Sequence, residues 1–517
     1  MNNQIQSTIF SELAEKCAIQ YSEFLSAQKN QKDHFFMPPL AAPAMAQHLR
    51  LKNKKLTILI PGAGSGLLAA ALAEPIAQFT QTLSVKIDLY EHQSMLRTCL
   101  NENLALIQKV LAERGHSLVY EIKNKDFLEH YARLFETPPL FSDLNEITHY
   151  DVIIVNPPFV TISKISAPLL ALNQQVHAQA NLFCLWLAIS ARLLKDQGQL
   201  VCLAPRHFCS SFHFKNFRRW LLQLLKLELV HTFQAEEHFS LTPFFEDNVI
   251  LKLIKSQSPP KKITIVTSSD LTAIPVKTIA PDYVNIILPQ DRSRRIPLPT
   301  DKPDLTILEI VHSWKYQLVQ LGYRASRGKV NGNRDQQFLL ASRKTASRTA
   351  TALLGIHHLQ NYSVHYPLEE FEQSQAIRIL PSSQKLLVPN QRYILVKCLS
   401  PSESFQRVYV SYYSPGLVES AWLGIERQLL YISKENDKLS LLESLGMMAL
   451  LNSSLINSYF SIMYGNRLVG ATEINKLTLP DGDKIIEMGT QLNSLKKLTY
   501  HDLDSIVSAG LDLPKDL

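Results

Sequence analysis

The sequence predicts an α/β layer followed by a second domain of mixed α+β character. Three observations carry this. Leu56–Ile60 is an apolar, β-type run that passes through Pro61-Gly62-Ala63-Gly64-Ser65-Gly66 into a helical stretch at 67–79. Tyr150–Val155 is a second such run, and Asn156-Pro157-Pro158-Phe159 stops it. After Ser256 the alternation of strand and helix patterns ends.

A chain of 517 residues exceeds what one core usually serves. The expected boundaries are 1–255 for the α/β layer with an N-terminal helix, 256–310 for a proline-punctuated linking segment, and 311–517 for the second domain. Hydrophobic residues make up 46% and charged residues 19%, which excludes a disordered chain. The net charge of +7 is compatible with a nucleic-acid partner without requiring one. The six cysteines form no CxxC pair and no Cys/His metal spacing, so free thiols and no metal site are expected. The longest apolar stretch, 182–191, is about half of the ~20 residues a membrane span needs. With no leader-like pattern in the polar first thirty residues, a soluble, cytoplasmic protein without a membrane partner is expected.

In chain order, residues 1–30 read as an amphipathic helix, with Ile9, Phe10, Leu13, Cys17, Tyr21 and Leu25 at helical spacing. Phe35-Phe36-Met37-Pro38-Pro39-Leu40 reads as a rigid turn feeding a short helix over 41–49. The strand, glycine-rich turn and helix at 56–79 are the context of a nucleotide-type cofactor loop. Glycines let backbone approach a ligand closely, and the helix start offers free N–H groups. The second strand, 85–90, ends in Glu91. A carboxylate there suits both ribose hydroxyls of a nicotinamide cofactor or of S-adenosylmethionine.

The third strand, 118–122, precedes Asp126-Phe127, a carboxylate for an adenine amino group and a ring to pack on adenine. Glu121-Ile122-Lys123 fits a nuclease-type ExK fragment, but no upstream carboxylate completes a metal site. Helices are predicted over 175–194 and 214–227, and strands over 198–204, 229–233 and 248–254. Between the last two strands lies the aromatic-rich loop holding Phe239, Phe244 and Phe245. In 322–350, Arg324, Arg327, Lys329, Arg334, Arg343, Lys344 and Arg348 stand against the single Asp335, a pattern that fits a phosphate-contacting loop.

The corner at 156–159 carries the sharpest chemistry. Two prolines remove two N–H donors and push Asn156 towards an extended backbone. A carboxamide oxygen and the Pro157 carbonyl can each accept one N–H of an exocyclic amino group. That orients the nitrogen and frees a lone pair otherwise delocalised into the ring. Phe159 offers a stacking face. An amino group paired inside a duplex must first be flipped out, which calls for a second aromatic wall. Phe239 is the expected one, with Phe244 and Phe245 as alternates.

These residues resemble the amino-group DNA methyltransferases that make N6-methyladenine, in the class with cofactor motifs before the catalytic motif and a C-terminal target-recognition region. Residues 36–46 resemble the N-terminal cofactor motif. Pro61 to Gly66 resembles the glycine motif, Glu91 the acidic motif, Asp126-Phe127 the adenine-side motif and Asn156–Phe159 the catalytic motif. Pro205-Arg206-His207-Phe208, Phe214–Phe217, 321–334 and 446–480 resemble the PstI/BsuBI branch of type II modification enzymes.

The resemblance implies a Rossmann-like, S-adenosylmethionine-dependent methyltransferase domain followed by a target-recognition domain. It implies cofactor contacts by Phe36, Pro38, Pro61, Gly62, Ala63, Gly64, Gly66, Glu91, Asp126, Phe127 and Asn156, and catalysis at Asn156, Pro157, Pro158 and Phe159. Duplex DNA is the expected partner, contacted by Arg324, Arg327, Lys329, Arg334, Arg343 and Lys344, and a cognate restriction endonuclease is a functional rather than physical one. Three positions depart from the pattern: Ile60 replaces the usual Asp, Met37 the common Thr, and Val469-Gly-Ala-Thr472 a more polar segment. Two other readings stand beside this one: a DNA-binding protein with weak or lost transfer activity, and a protein-glutamine N5-methyltransferase, whose chains lack a comparable C-terminal domain. A nicotinamide dehydrogenase would leave Asn156–Phe159 without a role.

Overall fold

The computed structural model describes residues 2–27, 37–136, 147–161, 166–179, 181–234, 244, 247–269, 275–340, 349–369, 371, 373–397, 406–465, 469–495 and 498–514. The chain divides into two compact units, Met1–Asp301 and Lys302–Leu517.

Among the described residues of the first unit, one sheet holds β1 (Lys55–Ile60), β2 (Ser84–Tyr90), β3 (Ser117–Lys123), β4 (Tyr150–Val155), β5 (Leu194–Pro205), β6 (Lys226–Gln234), β7 (Asn248–Ile254), β8 (Thr264–Ser269) and β9 (Pro275–Ile279). The spatial order is β3-β2-β1-β4-β5-β7-β6-β8-β9. β3, β2, β1, β4 and β5 run parallel, while β7 lies antiparallel between β5 and β6. β-Branched and leucine residues buried on both faces account for the parallel half: Val152 to Val155 and Ile58 to Ile60 are fully buried.

Among the described residues, the α-helices before β6 are α1 (Asn2–Ala27), α2 (Ala41–Ala46), α3 (Leu67–Ala77), α4 (Ser94–Glu113), α5 (Phe127–Glu136), α6 (Ala167–Val176), α7 (Leu182–Leu193), α8 (Arg206–Ser210) and α9 (Lys215–Leu224). The order reverses at β1 and β4, whose partners in sequence lie on opposite sides. Ligands bind outside the carboxyl ends of strands at such a switch point.

Two features differ from the sequence reading. The single helix expected over 175–194 is two, α6 and α7, because His177 and Gln179 take left-handed φ of 56° and 57° and break the ladder. The stretch 256–310, expected to link the domains with proline-punctuated short strands over 260–305, has its strands in the first unit's sheet, β8 parallel to β6 and β9 antiparallel to β8, so that unit runs to Asp301.

Among its described residues, the second unit holds a six-stranded and a five-stranded sheet of short strands, with a two-stranded pair. Four helices, Leu441–Asn452, Ser454–Tyr464, Gly482–Asn493 and Tyr500–Gly510, share one apolar core with strands 323–327, 393–397, 410–413 and 429–434. The thiols of Cys17, Cys99, Cys184, Cys202 and Cys209 are free. No described helix is long and apolar enough to cross a membrane.

Candidate active site at the β1–β4 switch point

The carboxyl ends of β1, β2 and β4 open onto a cavity of about 220 Å³. Its wall takes Gly62, Ala63, Gly64 and Ser65 from the turn after β1, and Glu91 and Gln93 from the end of β2. Asp126 and Phe127 at the start of α5 and Asn156 and Pro158 after β4 complete the expected part.

The glycine turn needs its glycines. Gly62 and Gly64 have φ of 62° and 56°, left-handed backbone that side chains rarely adopt. A Cβ on Gly62 would also stand 2.7 Å from the Trp186 ring. Ala63 N–H bonds the Tyr90 carbonyl at 2.9 Å, and Gly66 caps α3 with φ of 106°. From α4, Asn103 donates to the Ser65 carbonyl and to Gln20 Oε1, each at 2.8 Å, and so ties the turn to α1.

Glu91 is buried, and both its oxygens are engaged by backbone. Oε2 accepts from Gly64 N–H at 2.9 Å and Oε1 from Gln93 N–H at 2.8 Å. Each carboxylate oxygen keeps a further lone pair for a ligand hydroxyl. Asp126 is exposed and caps α5 by accepting the Glu129 N–H at 2.8 Å. Phe127 is buried, edge-on to Tyr90 at 5.4 Å and tilted to Trp186 at 5.2 Å.

At the corner, the Asn156 side-chain oxygen is buried and has no hydrogen-bond partner among the described residues. A buried acceptor left open is costly in a fold alone, and it marks a place where a donor is meant to arrive. Pro157 is buried and Pro158 half-buried; Phe159 is half-buried beside the cavity wall rather than on it, edge-on to Phe183 at 5.6 Å.

The remaining expected residues scatter. Pro61 is buried and not on the cavity wall; Pro38 receives the Ala41 N–H at 3.0 Å at the start of α2, with its neighbour Met37 on the wall. Ile60 is fully buried inside β1. Phe244 is half-buried and packs on the same core cluster as Phe159. Phe36, Phe239 and Phe245 lie outside the described residues. In the second unit Arg324 pairs with Glu435 at 2.6 Å, whereas Arg327, Lys329 and Arg334 line a groove. Arg343 and Lys344 lie outside the described residues. No group of three or more metal-ligating side chains occurs among the described residues.

Sequence reasoning missed part of the wall: Cys17, Ala18 and Tyr21 from α1, and Trp186 from α7. Burial first, and the Glu91 charge second, push the Tyr21 hydroxyl up to about 12, which leaves it a neutral donor at neutral pH. Helical spacing marked Cys17 and Tyr21 as inward-facing, but spacing does not say what an inward face meets. Trp186 sat in a continuous apolar run with no local mark.

Residues 69–239 match the Eco57I restriction-modification methylase family. The chain is 26% identical over 458 residues to the type II methyltransferase M.PstI of Providencia stuartii, covering 88% of each. It is 27% identical over 490 residues to the type II methyltransferase M.BsuBI of Bacillus subtilis, covering 93% of this chain and 94% of that one. The expected likeness to the PstI/BsuBI branch is thus borne out. Among solved structures, the type IIL restriction-modification enzyme MmeI, determined in complex with DNA, shares the fold with a TM-score of 0.52 at 11% identity, over 97% of this chain and 74% of that one.

Proposed function

We propose that this chain is a site-specific DNA methyltransferase, which moves a methyl group from S-adenosylmethionine to the N6 amino group of an adenine flipped out of duplex DNA. Its natural setting in this reading is the modification half of a restriction–modification system in the cytoplasm, with a cognate endonuclease as functional partner. The observation that carries the reading is the open Asn156 oxygen, buried on the wall that also holds the glycine turn and Glu91. The names of both curated relatives and of the matching family support it.

The residues present fit the cofactor. Glu91 offers free lone pairs for ribose hydroxyls, the left-handed backbone at Gly62 and Gly64 allows close approach, and Met37, Leu96, Phe127 and Trp186 supply apolar surface for a base. Pro38, Asp126 and the turn at Pro61 and Gly66 shape the rim and hold the loop, with Phe36 as a further contact. When bound, S-adenosylmethionine supplies an electrophilic sulfonium methyl.

The chain's own part is orientation. The Asn156 oxygen accepts one N–H of the target amino group and the Pro157 carbonyl accepts the other. Both acceptors draw the nitrogen towards tetrahedral geometry and turn its lone pair out of conjugation. Asn156 is neutral, so it adds no charge beside a cationic donor. Pro158 and Pro157 fix the corner, because their φ angles are locked. Phe159 stacks on the base from one side, and Phe239, Phe244 or Phe245 from the other. Arg324, Arg327, Lys329, Arg334, Arg343 and Lys344 contact DNA from the second unit.

The decisive experiment is direct sequencing, with base modifications read, of DNA incubated with the protein and S-adenosylmethionine. N6-methyladenine within one recurring motif is expected. Unmodified DNA under conditions where the cofactor binds would leave only a DNA-binding role, and methylation of a protein glutamine instead would replace the substrate.

A further inference from the structure

The groove in the second unit gathers cations from three distant parts of the sequence. Arg327 ends strand 323–327 and Lys329 and Arg334 come from the turn after it, Lys385 from a helical turn before strand 387–389, and Arg427 from the tip between strands 422–425 and 429–434. The groove measures about 650 Å³. Among the described residues its only lining carboxylate, Asp335, is buried and already committed: Oδ2 accepts from Asn331 N–H at 2.8 Å and Oδ1 from Arg334 Nε at 3.1 Å. Arg327, Lys329, Lys385 and Arg427 make no salt bridge among the described residues.

The cluster is built rather than incidental. Gly328 N–H bonds the Leu429 carbonyl at 2.8 Å, Val330 N–H the Ile425 carbonyl at 3.0 Å, and Arg427 N–H the Val330 carbonyl at 2.7 Å. A Cβ on Gly328 would lie 2.0 Å from the Glu426 carbonyl oxygen, so the two backbones meet where only glycine fits. Rigid backbone therefore holds like charges together that would otherwise spread apart, at a Coulombic cost which an anion removes. The five cationic side chains are exposed, and Leu386 is the single large apolar residue of the lining. Such a site lacks the apolar wall a small nucleotide needs and fits an extended, repeating anion.

We infer that this groove is a backbone clamp for the phosphodiesters of the DNA duplex, in which Lys385 and Arg427 complete the contact begun by Arg327, Lys329 and Arg334. The inference rests on the DNA-methyltransferase reading for the identity of its polyanion. It separates positioning from sequence reading: phosphate contacts hold the register, and other residues of the unit read bases. Arg324, paired with Glu435 at 2.6 Å, does not line this groove.

The test is fluorescence-anisotropy binding of the full chain to labelled duplexes, one containing the methylated motif and one of mixed sequence, over a series of salt concentrations. K385Q and R427Q should each reduce the log affinity–log salt slope by about 1. They should weaken both duplexes alike and leave the methylated motif unchanged; K385R and R427K should restore the slope. Both side chains are exposed, so these changes leave the core intact. An unchanged slope in both glutamine variants overturns the clamp, and so does a change in the methylated motif. A wild-type chain that binds duplex DNA with the expected salt slope yet methylates none would overturn the methyltransferase reading and leave the clamp standing.

Discussion

The Glu91 carboxylate accepts the backbone N–H of Gly64 at 2.9 Å, joining the end of β2 to the turn after β1. Its other oxygen takes the Gln93 N–H, so one side chain fixes two segments of the cavity wall. Hydrogen bonds to a charged acceptor contribute about 1.5–3 kcal/mol each. Glu91→Ala should therefore raise the dissociation constant for S-adenosylmethionine by about 10–100-fold in titration calorimetry. Glu91→Gln keeps one oxygen acceptor and should fall between. An unaltered constant in the alanine variant would remove Glu91 from the cofactor site.

Asn156→Ala separates chemistry from folding. The Asn156 oxygen holds no partner among the described residues, so its loss leaves no protein donor stranded. Thermal midpoint and cofactor affinity should match the wild type. The methylation rate should fall by at least about 10²–10³-fold, the usual cost of one electrostatic contact made in the transition state. A variant methylating at the wild-type rate would sink the mechanism.

The parts of this site that were legible in the sequence are those built by short-range geometry. A strand, a glycine turn and a helix start are consecutive, and so are a strand and Asn156-Pro157-Pro158-Phe159; each chemistry-bearing group sits where its own neighbours put it. The wall formed by Tyr21 and Trp186 was not legible, because packing between remote helices decides it. An inward-facing residue is marked by period; its partner is not. The break between α6 and α7 was hidden because His177 and Gln179 carry no turn signature, yet adopt left-handed backbone. Short strands were legible over 260–305, but their place in the first unit's sheet was not, since β9 is exposed along nearly its whole length and lacks an alternating pattern that would mark a buried face. In the second unit, strands of two or three residues leave almost no periodicity to read.

Acid should destabilise the first unit from about pH 6.5 downward. His48 Nε2 and His231 Nδ1 lie 2.8 Å apart, and His231 Nε2 lies 2.8 Å from Ser268 Oγ. Burial first, then Lys252, holds His48 down at about 4; burial first, then His48, holds His231 down at about 3. Below pH 6.5 the unfolded chain takes up protons that the folded pair refuses. The contribution is full above pH 6.5, declines as pH falls below it, and is lost once pH has fallen through 4 to 3, a change of a few kcal/mol. Chemical-denaturation midpoints followed by circular dichroism should decline over that window. They should decline less in a His48→Gln, His231→Gln double variant, and equal slopes would show that the pair is not the source.

Helices Leu441–Asn452 and Gly482–Asn493 cross backbone to backbone at Gly446 and Gly489. A Cβ on Gly446 would lie 1.8 Å from the Ile485 carbonyl oxygen, and one on Gly489 1.9 Å from that of Leu442. Alanine normally favours a helix over glycine by about 1 kcal/mol. Here it must prise apart two helices that carry much of the second unit's core, including Met447, Met448 and Met488, all fully buried. Overpacking of this kind costs about 1–3 kcal/mol and exceeds the helix-propensity gain when the opposing atoms are backbone. Gly446→Ala and Gly489→Ala should each lower the urea midpoint. Gly482→Ala, in the same helix as Gly489 but with nothing within 4 Å of its Cβ, should leave it unchanged or raise it. Propensity alone predicts the same sign at all three positions, so opposite signs at Gly489 and Gly482 would isolate the close crossing as the cause.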